Sequence, residues 1–314
     1  MPKSKSSIVT VVGSLNIDYL SSVSHLPAPG DTVAASQLQI LFGGKGANQA
    51  IAAARQGAHV HFIGSVGDDD RGSSYLSYLD KEGIDTQAVS QRKNSHTGSA
   101  MIAVDQNGEN MIIVAAGANG ETCAEDIQKF AALIKQADLL VLQLELPLDA
   151  VVSAMQIANQ AQTPVIFNPS PINEEFPWGE LSIQYLIVNE GEAEAILGTH
   201  IDASCKPDDV AALLKSKNID QLIITRGSKS TLFFSPTERI EIAAFPVTPV
   251  DTVGAGDAFC GTFAARLAEK PETAMADLIK IANAAGALTT LAHGAQDPIP
   301  DKKTTDQQLK KQLQ

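Results

Sequence analysis

The stretch Ile8-Val-Thr-Val-Val-Gly-Ser-Leu-Asn-Ile-Asp18 decides the fold class. Its first five residues form an apolar and β-branched run, which predicts a strand buried on both faces, as in parallel sheets. The run is too short for a signal peptide or a membrane helix, and the polar residues Asn16 and Asp18 follow it at once. We therefore expect a cytoplasmic protein whose first element is a buried strand.

Similar runs recur along the chain and alternate with helical periodicity. Further strands are predicted at Val60–Ile63, Leu139–Leu144, Val165–Phe167, Tyr185–Val188 and Leu222–Thr225. Helices are predicted at Ala47–Gln56, Arg71–Lys81, Ala124–Gln136, Leu148–Gln160, Pro207–Lys217 and Gly256–Glu269, and a surface helix at Asp301–Gln314. This alternation indicates an α/β fold with a mostly parallel central sheet, helices on both faces, and ligands beyond the carboxyl ends of the strands.

Two segments, residues 17–42 and 97–115, interrupt the alternation. The first contains the turn Leu26–Gly30 and no helical pattern, and the second is predicted to be a β-hairpin around Gln106-Asn-Gly108. We expect both segments to form a small separate sheet that covers the ligand-binding edge as a lid. No flexible linker is visible, so residues 1–314 are predicted to form one domain.

Composition narrows the class of ligand. The chain of 314 residues carries 36 acidic and 23 basic side chains, a net charge of −13. That charge argues against binding to nucleic acid or to an anionic membrane, but it is compatible with a small phosphorylated ligand in a local pocket. The three cysteines lie far apart and show no metal-binding spacing, which argues against a disulfide scaffold or a zinc module.

A glycine-rich segment, Val250-Asp-Thr-Val-Gly-Ala-Gly-Asp-Ala-Phe259, leads into a predicted helix. Small residues at a helix start let backbone N–H groups meet at one point, which makes an anion hole suited to phosphate. Asp257 lies beside that hole, where a carboxylate suits a base that takes a proton from an attacking hydroxyl. The alternative is an aspartate that caps its own helix.

A second glycine-rich segment, Phe42–Ala50, also opens a predicted helix. It is not a Walker A loop, because Gly46 follows Lys45 where Ser or Thr is required. It is not a dinucleotide fingerprint either, because Gln49 stands where glycine is required, and this argues against a dehydrogenase. Asn48 can both donate and accept hydrogen bonds, as recognition of a sugar diol requires, although a tight turn alone would explain the glycines.

Three acidic or amide side chains follow predicted strands. Asn16 and Asp18 are two residues apart and therefore lie on one side of the chain. Asp18 could accept hydrogen bonds from two adjacent sugar hydroxyls, or it could form an Asx turn at the strand end. Glu145, taken alone, is a surface acid.

Two more segments also lie at the end of a predicted strand. Asn189 with Glu192 could hold Mg²⁺ through water, or the two could form an acidic first turn that complements the helix dipole. The turn within Ile223–Ser230 could hold a nucleotide or be a plain turn. Because these segments would meet at the ligand-binding edge, their joint occurrence favours a binding site over separate structural roles.

Together, these segments resemble the ribokinase group of the PfkB-type carbohydrate kinase family over nearly the whole chain. Phe42–Ala50 is similar to the first family signature and Asp251–Asp257 to the second, while Ala116–Asn119 and Asn189–Glu192 are similar to further landmarks. The resemblance implies a three-layer α/β/α body with a mostly parallel central sheet and a small β-sheet lid. It also implies phosphorylation of the 5-hydroxyl of D-ribose with MgATP.

The resemblance implies a role for each matching residue. Asp257 would be the base, and the anion hole would be formed by Gly254, Ala255 and Gly256. Ribose contacts are implied for Asn16, Asp18, Gly44, Lys45, Asn48 and Glu145. ATP contacts are implied for Asn189, Thr225, Gly227, Ser228 and Asn283, with Glu192 organising Mg²⁺. A monovalent cation, normally K⁺, would be held by Asp251 and Val253 with backbone oxygens near Thr289, Ala292 and Gly294.

The family also pairs its lid with a twin in a homodimer, which we expect here. Three positions depart from the ribokinase pattern: Ser230 stands where glycine is usual, Asn283 where some members have His, and Pro298 where Ser is frequent. Pro298 would remove a hydroxyl ligand from the monovalent cation. The sequence leaves open a kinase of the same family that acts on deoxyribose, a nucleoside or a ketohexose, and also a non-catalytic sugar-binding regulator.

Overall fold

The computed structural model describes residues 7–312. Its strands in the main sheet are β1 (Ile8–Val12), β4 (His59–Gly67), β5 (Asp85–Arg92), β8 (Leu139–Leu142), β9 (Val165–Phe167), β10 (Ile183–Asn189), β11 (Ile219–Thr225), β12 (Thr231–Phe234) and β13 (Arg239–Ile242). Those in a second sheet are β2 (Asn16–Ser22), β3 (Gln37–Gly43), β6 (Gly98–Val104) and β7 (Asn110–Ala115).

The helices alternate with the strands of the main sheet. They are α1 (Lys45–Arg55), α2 (Asp70–Lys81), α3 (Ala124–Lys129), α4 (Ala131–Gln136), α5 (Leu148–Ala161), α6 (Glu190–Leu197), α7 (Pro207–Ser216), α8 (Ala255–Glu269), α9 (Met275–Thr289) and α10 (Lys302–Gln312), with a short 3₁₀ helix at Gly117–Glu121. The predicted surface helix at Asp301–Gln314 is α10, and its last two residues lie outside the described part. The residues before Ser7 also lie outside it.

The main sheet has the strand order β13-β12-β11-β10-β9-β8-β1-β4-β5. The strands from β11 to β5 pair in parallel, and β12 and β13 add an antiparallel edge. β1 is internal, and its residues Val9, Val11 and Val12 are fully buried. The predicted α/β class with a mostly parallel central sheet is therefore confirmed.

The second sheet has the order β3-β2-β6-β7, so the predicted small separate sheet is confirmed. It is joined to the main sheet close to the carboxyl end of β1, because β2 begins at Asn16. Asn16 pairs with Gly43 on one side and with Gly98 on the other. The small sheet therefore meets the main sheet at the edge where α/β proteins bind ligands.

Helices α1 and α8 pack unusually closely. A Cβ atom on Gly261 would lie 2.1 Å from the carbonyl oxygen of Gln49, so only glycine permits this approach. Ala52 and Ala53 of α1, which face Gly261, are fully buried and leave the same space free. This contact brings the first turn of α8, with Asp257, against the first turn of α1.

Several elements differ from the sequence prediction. The helix predicted at Ala124–Gln136 is wrong as one element: it is interrupted at Phe130, whose φ of −110° and ψ of 18° are not helical, and so divides into α3 and α4. The strand predicted to reach Leu144 ends at Leu142. Strands β5, β12 and β13 and helix α9 were not predicted. Among the helices of residues 7–312, none has the length and apolar character needed to span a membrane.

Candidate active site

Asp257 lies in the first turn of α8 and is 7% exposed. Its Oδ2 atom accepts a hydrogen bond from Nδ2 of Asn48 at 2.8 Å, and its Oδ1 atom accepts one from Nε2 of Gln49 at 2.9 Å. The N-cap of α8 is Gly254, and no side chain caps this helix start. The alternative of a self-capping aspartate is therefore wrong.

The start of α8 has the shape of an anion hole. Gly254 has φ +77°, and a Cβ atom there would lie 2.6 Å from the carbonyl oxygen of Ala295, so both conformation and space require glycine. The first N–H groups of a helix have no acceptor within the helix. Gly254, Gly256 and Asp257 line one cavity, so this helix start can donate to an anion inside it.

Two cavities adjoin at the start of α8. The first has a volume of about 220 Å³ and is lined by the predicted residues Lys45, Asn189, Glu192, Thr225, Gly254, Gly256 and Asp257. The second has a volume of about 720 Å³, within the usual range for organic ligands. It is lined by the predicted residues Thr225, Gly227, Ser228, Ala255, Gly256 and Asn283. Because Thr225, Thr252 and Gly256 line both, one elongated ligand can extend from the large cavity into the small one.

The large cavity combines apolar walls with a few polar groups. Phe245, Val247 and Phe259 give it apolar surface. Asn283 is held in place, because its Oδ1 atom accepts from the hydroxyl of Thr231 at 2.7 Å. Ser230 donates to the carboxylate of Glu241, so the residue that replaces the usual glycine is bonded to strand β13.

Asn189 and Glu192 bond to each other across the first turn of α6. Oδ1 of Asn189 accepts from the backbone N–H of Glu192 at 2.8 Å, and the carboxylate of Glu192 accepts from the N–H of Asn189 at 2.9 Å. Both side chains therefore cap the helix, as the alternative expectation had it, and both also line the small cavity. One carboxylate and one amide oxygen beside a phosphate-sized space fit Mg²⁺, which takes few protein ligands. Residues 7–312 contain no cluster of three or more acidic, histidine or cysteine side chains around a metal position.

Two further carboxyl groups, those of Asp18 and Glu145, lie near Asp257. Burial, together with the negative charges of Glu145 and Asp257, raises the pKa of Asp18 to about 7. A Cβ atom on Gly43 would lie 2.1 Å from Oδ2 of Asp18, so the carboxylate lies directly against the backbone of Gly43. Lys45 also lines the small cavity, and the nearby negative charge of Asp257 raises the pKa of its ammonium group.

The other predicted sugar residues are fixed by local bonds. Glu145 is not a free surface acid, because it accepts from the backbone N–H of Lys45 at 3.0 Å and from the hydroxyl of Ser14. Asn16 accepts from Nδ2 of Asn119 at 2.8 Å. Gly44 has φ +90°, and a Cβ atom there would lie 2.8 Å from the backbone nitrogen of Asn16. Of the predicted sugar residues, Asn48 bonds directly to Asp257, and Asp18 and Lys45 lie near enough to feel its charge.

The residues predicted to hold a monovalent cation come from two segments that are bonded to each other, the loop before α8 and the end of α9 with the loop that follows it. The carboxylate of Asp251 accepts from the N–H of Val253 at 3.0 Å and from the N–H of Gly294 at 3.0 Å. Thr290, next to the predicted Thr289, accepts from the N–H groups of Val250 and Asp251. The hydroxyl of Thr289 is bonded within its own helix to Ala285, and Ala292 is exposed. A carboxylate among backbone oxygens is a donor set that fits a hard cation.

The structure adds polar residues that no motif indicated. Asn168 lines the small cavity directly after β9, so it follows the same strand-end rule that identified Asn189. Gln143 and Gln296 are each 2% exposed and belong to the hydrogen-bond network around Asp257. Cys260 also lines the small cavity, next to Thr252 of the predicted glycine-rich segment.

Nearly the whole chain is similar in sequence and in structure to known carbohydrate kinases. Residues 7–302 match the family described as pfkB family carbohydrate kinase. A ribokinase from Haemophilus influenzae is 36% identical over 301 residues, which cover 95% of this chain and 96% of that protein. A deoxyribokinase from Salmonella typhi is 34% identical over 257 residues, which cover 82% of this chain and 84% of the relative. Among solved structures, the ribokinase of Arabidopsis thaliana in complex with ribose and ATP superposes with a TM-score of 0.89 at 30% identity, covering 98% of this chain and 99% of the other.

Proposed function

The chain belongs to the pfkB family of carbohydrate kinases, and from that premise we propose that it phosphorylates D-ribose with ATP through Asp257 as general base. The reaction transfers the γ-phosphate of ATP to the 5-hydroxyl and gives ribose 5-phosphate and ADP. One observation carries the proposal: Asp257, in the helix start that opens into the small cavity, is also close enough to the buried carboxyl group of Asp18 for its charge to raise that group's pKa. A general base must lie within hydrogen-bond reach of the hydroxyl whose proton it takes, and that hydroxyl oxygen must face the group that is transferred.

Two amide donors leave Asp257 able to act as this base. Asn48 and Gln49 each take up one lone pair of a different carboxylate oxygen, and further lone pairs remain on both oxygens. Asp257 then takes the proton of the 5-hydroxyl while the hydroxyl oxygen attacks the γ-phosphorus in line. The new O–P bond forms as the bond from the γ-phosphorus to the bridging oxygen of ADP breaks. N–H groups at the start of α8 stabilise the charge on the transferring group.

The remaining residues bind and orient the two substrates. Asp18 accepts from two adjacent ribose hydroxyls, assisted by Asn16, Gly44, Lys45, Asn48 and Glu145. The nucleotide lies in the large cavity against Thr225, Gly227, Ser228 and Asn283, with its γ-phosphate in the small one. Glu192 and Asn189 would hold Mg²⁺ through water, and the ion neutralises phosphate charge when bound. Asp251, Val253 and the carbonyls near Thr289, Ala292 and Gly294 would hold K⁺.

We also assign the small sheet as a lid within a single domain that closes over ribose and pairs with a second copy. Its exposed apolar side chains support this assignment: Leu38 is 60% exposed, Met101 57% and Ile113 60%. Together they form an apolar face that a second copy can bury. A closed lid also excludes water and so limits hydrolysis of ATP.

Ribose binding is expected to weaken in acid. With the pKa of Asp18 at about 7, its carboxyl group is mostly neutral at pH 6 and mostly ionised at pH 8. Only the ionised group accepts hydrogen bonds with both oxygens. The Kd for ribose, measured by calorimetry without nucleotide, should therefore rise about 10-fold from pH 8 to pH 6. The variant Asp18→Asn should bind weakly at both values. A Kd for the unsubstituted protein that is constant over this range would contradict the role of Asp18.

The acceptor is tested by ADP release with MgATP and a panel of D-ribose, 2-deoxyribose, fructose and adenosine, each with K⁺ and with Na⁺ only. We expect the highest kcat/KM with ribose and a higher rate with K⁺. Release with another acceptor only would discard ribose as the substrate. Equal rates in K⁺ and Na⁺ would remove the cation site but leave the kinase. No release with any acceptor would favour a non-catalytic sugar-binding regulator.

A further inference from the structure

The two amides beside Asp257 could in principle present either end to it. Asn48 and Gln49 are consecutive residues of α1, and each donates from its nitrogen to a different oxygen of Asp257. A side-chain amide also has a carbonyl oxygen, which would repel the carboxylate. The alignment of Asp257 therefore depends on what selects the nitrogen of each amide.

A backbone carbonyl selects the orientation of Gln49. The carbonyl oxygen of Ile187 can only accept, so Asn168 turns its nitrogen to it, at 2.9 Å, and its oxygen to Gln49. Nε2 of Gln49 donates to that oxygen at 3.1 Å and to Asp257. From the other side, Nε2 of Gln143 donates to Oε1 of Gln49 at 2.7 Å. The positions of both the nitrogen and the oxygen of the Gln49 amide are thus determined.

A second backbone carbonyl selects the orientation of Asn48. The hydroxyl of Tyr75 donates to the carbonyl oxygen of Gly43, so the Tyr75 oxygen is left to accept. Nε2 of Gln296 donates to it at 2.7 Å and to Oδ1 of Asn48 at 2.8 Å. Nδ2 of Asn48 is then the group that faces Asp257.

The two outer glutamines carry a cost that packing alone does not explain. The buried carbonyl oxygens of Gln143 and Gln296 have no hydrogen-bond partner within residues 7–312. A buried acceptor without a partner is destabilising, and native proteins contain few of them. Each of these side chains is thus used only for its nitrogen, which is the atom that orients the next amide.

We propose that Gln49 and Gln296 are positioning residues that hold the carboxylate of Asp257 in one orientation as a hydrogen-bond acceptor. Gln49 acts directly and Gln296 acts through Asn48. Gln49 is fully buried and Gln296 is 2% exposed, so water cannot replace either donor. The inference rests on the proposed function, because it assigns these side chains to the alignment of its base.

The variant Gln49→Met tests the hydrogen bond that Gln49 donates to Asp257. Methionine has a similar length and keeps the packing, but it donates nothing to Asp257. We expect the single-turnover rate of ribose phosphorylation to fall about 10- to 100-fold, the size of a lost hydrogen bond to a charged group, with unchanged Kd for ribose and ATP. The matched control is Gln56→Met at the C-cap of the same helix, where a 2% exposed glutamine bonds to Pro300 and Thr305. The control should lose stability but keep its rate.

The pair Gln296→Glu and Gln296→Met tests whether Gln296 orients Asn48, and through it Asp257. Both remove the donor, but a glutamate also offers an acceptor that draws the Asn48 nitrogen away from Asp257. We expect the glutamate variant to be the slower of the two at pH 8. The proposal would be overturned by a full single-turnover rate in Gln49→Met, or by equal rates in the two Gln296 variants. In either case, ribose turnover by the unsubstituted protein would still support the proposed function. Absence of ribose turnover by the unsubstituted protein would instead reject the function itself.

Discussion

Asp257→Asn should lower kcat for ribose phosphorylation by about 10²- to 10⁴-fold, the usual contribution of a general base. The asparagine keeps the shape of the side chain, so Kd for ribose and for ATP should change far less than kcat. Asn48 and Gln49 both donate to this position, so the new amide nitrogen meets one donor and loses that hydrogen bond. Single-turnover rates and calorimetric Kd values separate the two effects.

The control for this variant is Asp277→Asn. Asp277 occupies the corresponding place in the first turn of α9, and its side chain is 60% exposed beside Lys280. It faces no cavity described above, so its replacement should leave kcat unchanged. A kcat for Asp257→Asn close to that of the control would refute Asp257 as the base.

Gly254→Ala is expected to have the next largest effect. The added Cβ atom would lie 2.6 Å from the carbonyl oxygen of Ala295, and φ at this position is +77°. The loop must shift, and with it the N–H groups that start α8. We expect kcat to fall about 10²- to 10³-fold, as when an oxyanion-hole donor is lost.

The matched control for Gly254→Ala is Gly83→Ala. Gly83 has the same φ of +77°, but nothing lies within 4 Å of an added Cβ atom. It therefore carries only the cost of a left-handed conformation, about 1–2 kcal/mol, and its kcat should not change. Thermal unfolding of both variants measures the shared conformational cost. Equal kcat values in the two would show that the start of α8 does not need its observed shape.

Local patterns in the sequence predicted the parts of the site that are contiguous in the chain. The glycines and Asp257 of the α8 start lie within a few residues of each other, so their relation is visible without a fold. The strand-end rule correctly brought Asn189 and Thr225 to one cavity, because the carboxyl ends of β10 and β11 are neighbours in the parallel sheet.

Relations across the chain could not be predicted. Gln296 and Asn48 are 248 positions apart, and neither spacing nor periodicity indicates that they share a hydrogen bond. The raised pKa of Asp18 depends on burial and on two carboxylates from other elements. The break at Phe130 is a departure of one residue's backbone from the helix, and helical periodicity does not reveal it because Ile127 and Ile134, seven residues apart, would share one face of an unbroken helix as well.

Phosphorus NMR of the product formed from D-ribose and MgATP tests the central claim most directly. We expect a monoester whose phosphorus couples to the two hydrogens on C5. It should form together with ADP and be absent with Asp257→Asn over the same time. A phosphate ester at another carbon would contradict the position of Asp257 relative to the 5-hydroxyl. Equal product formation by Asp257→Asn would contradict its role as the base.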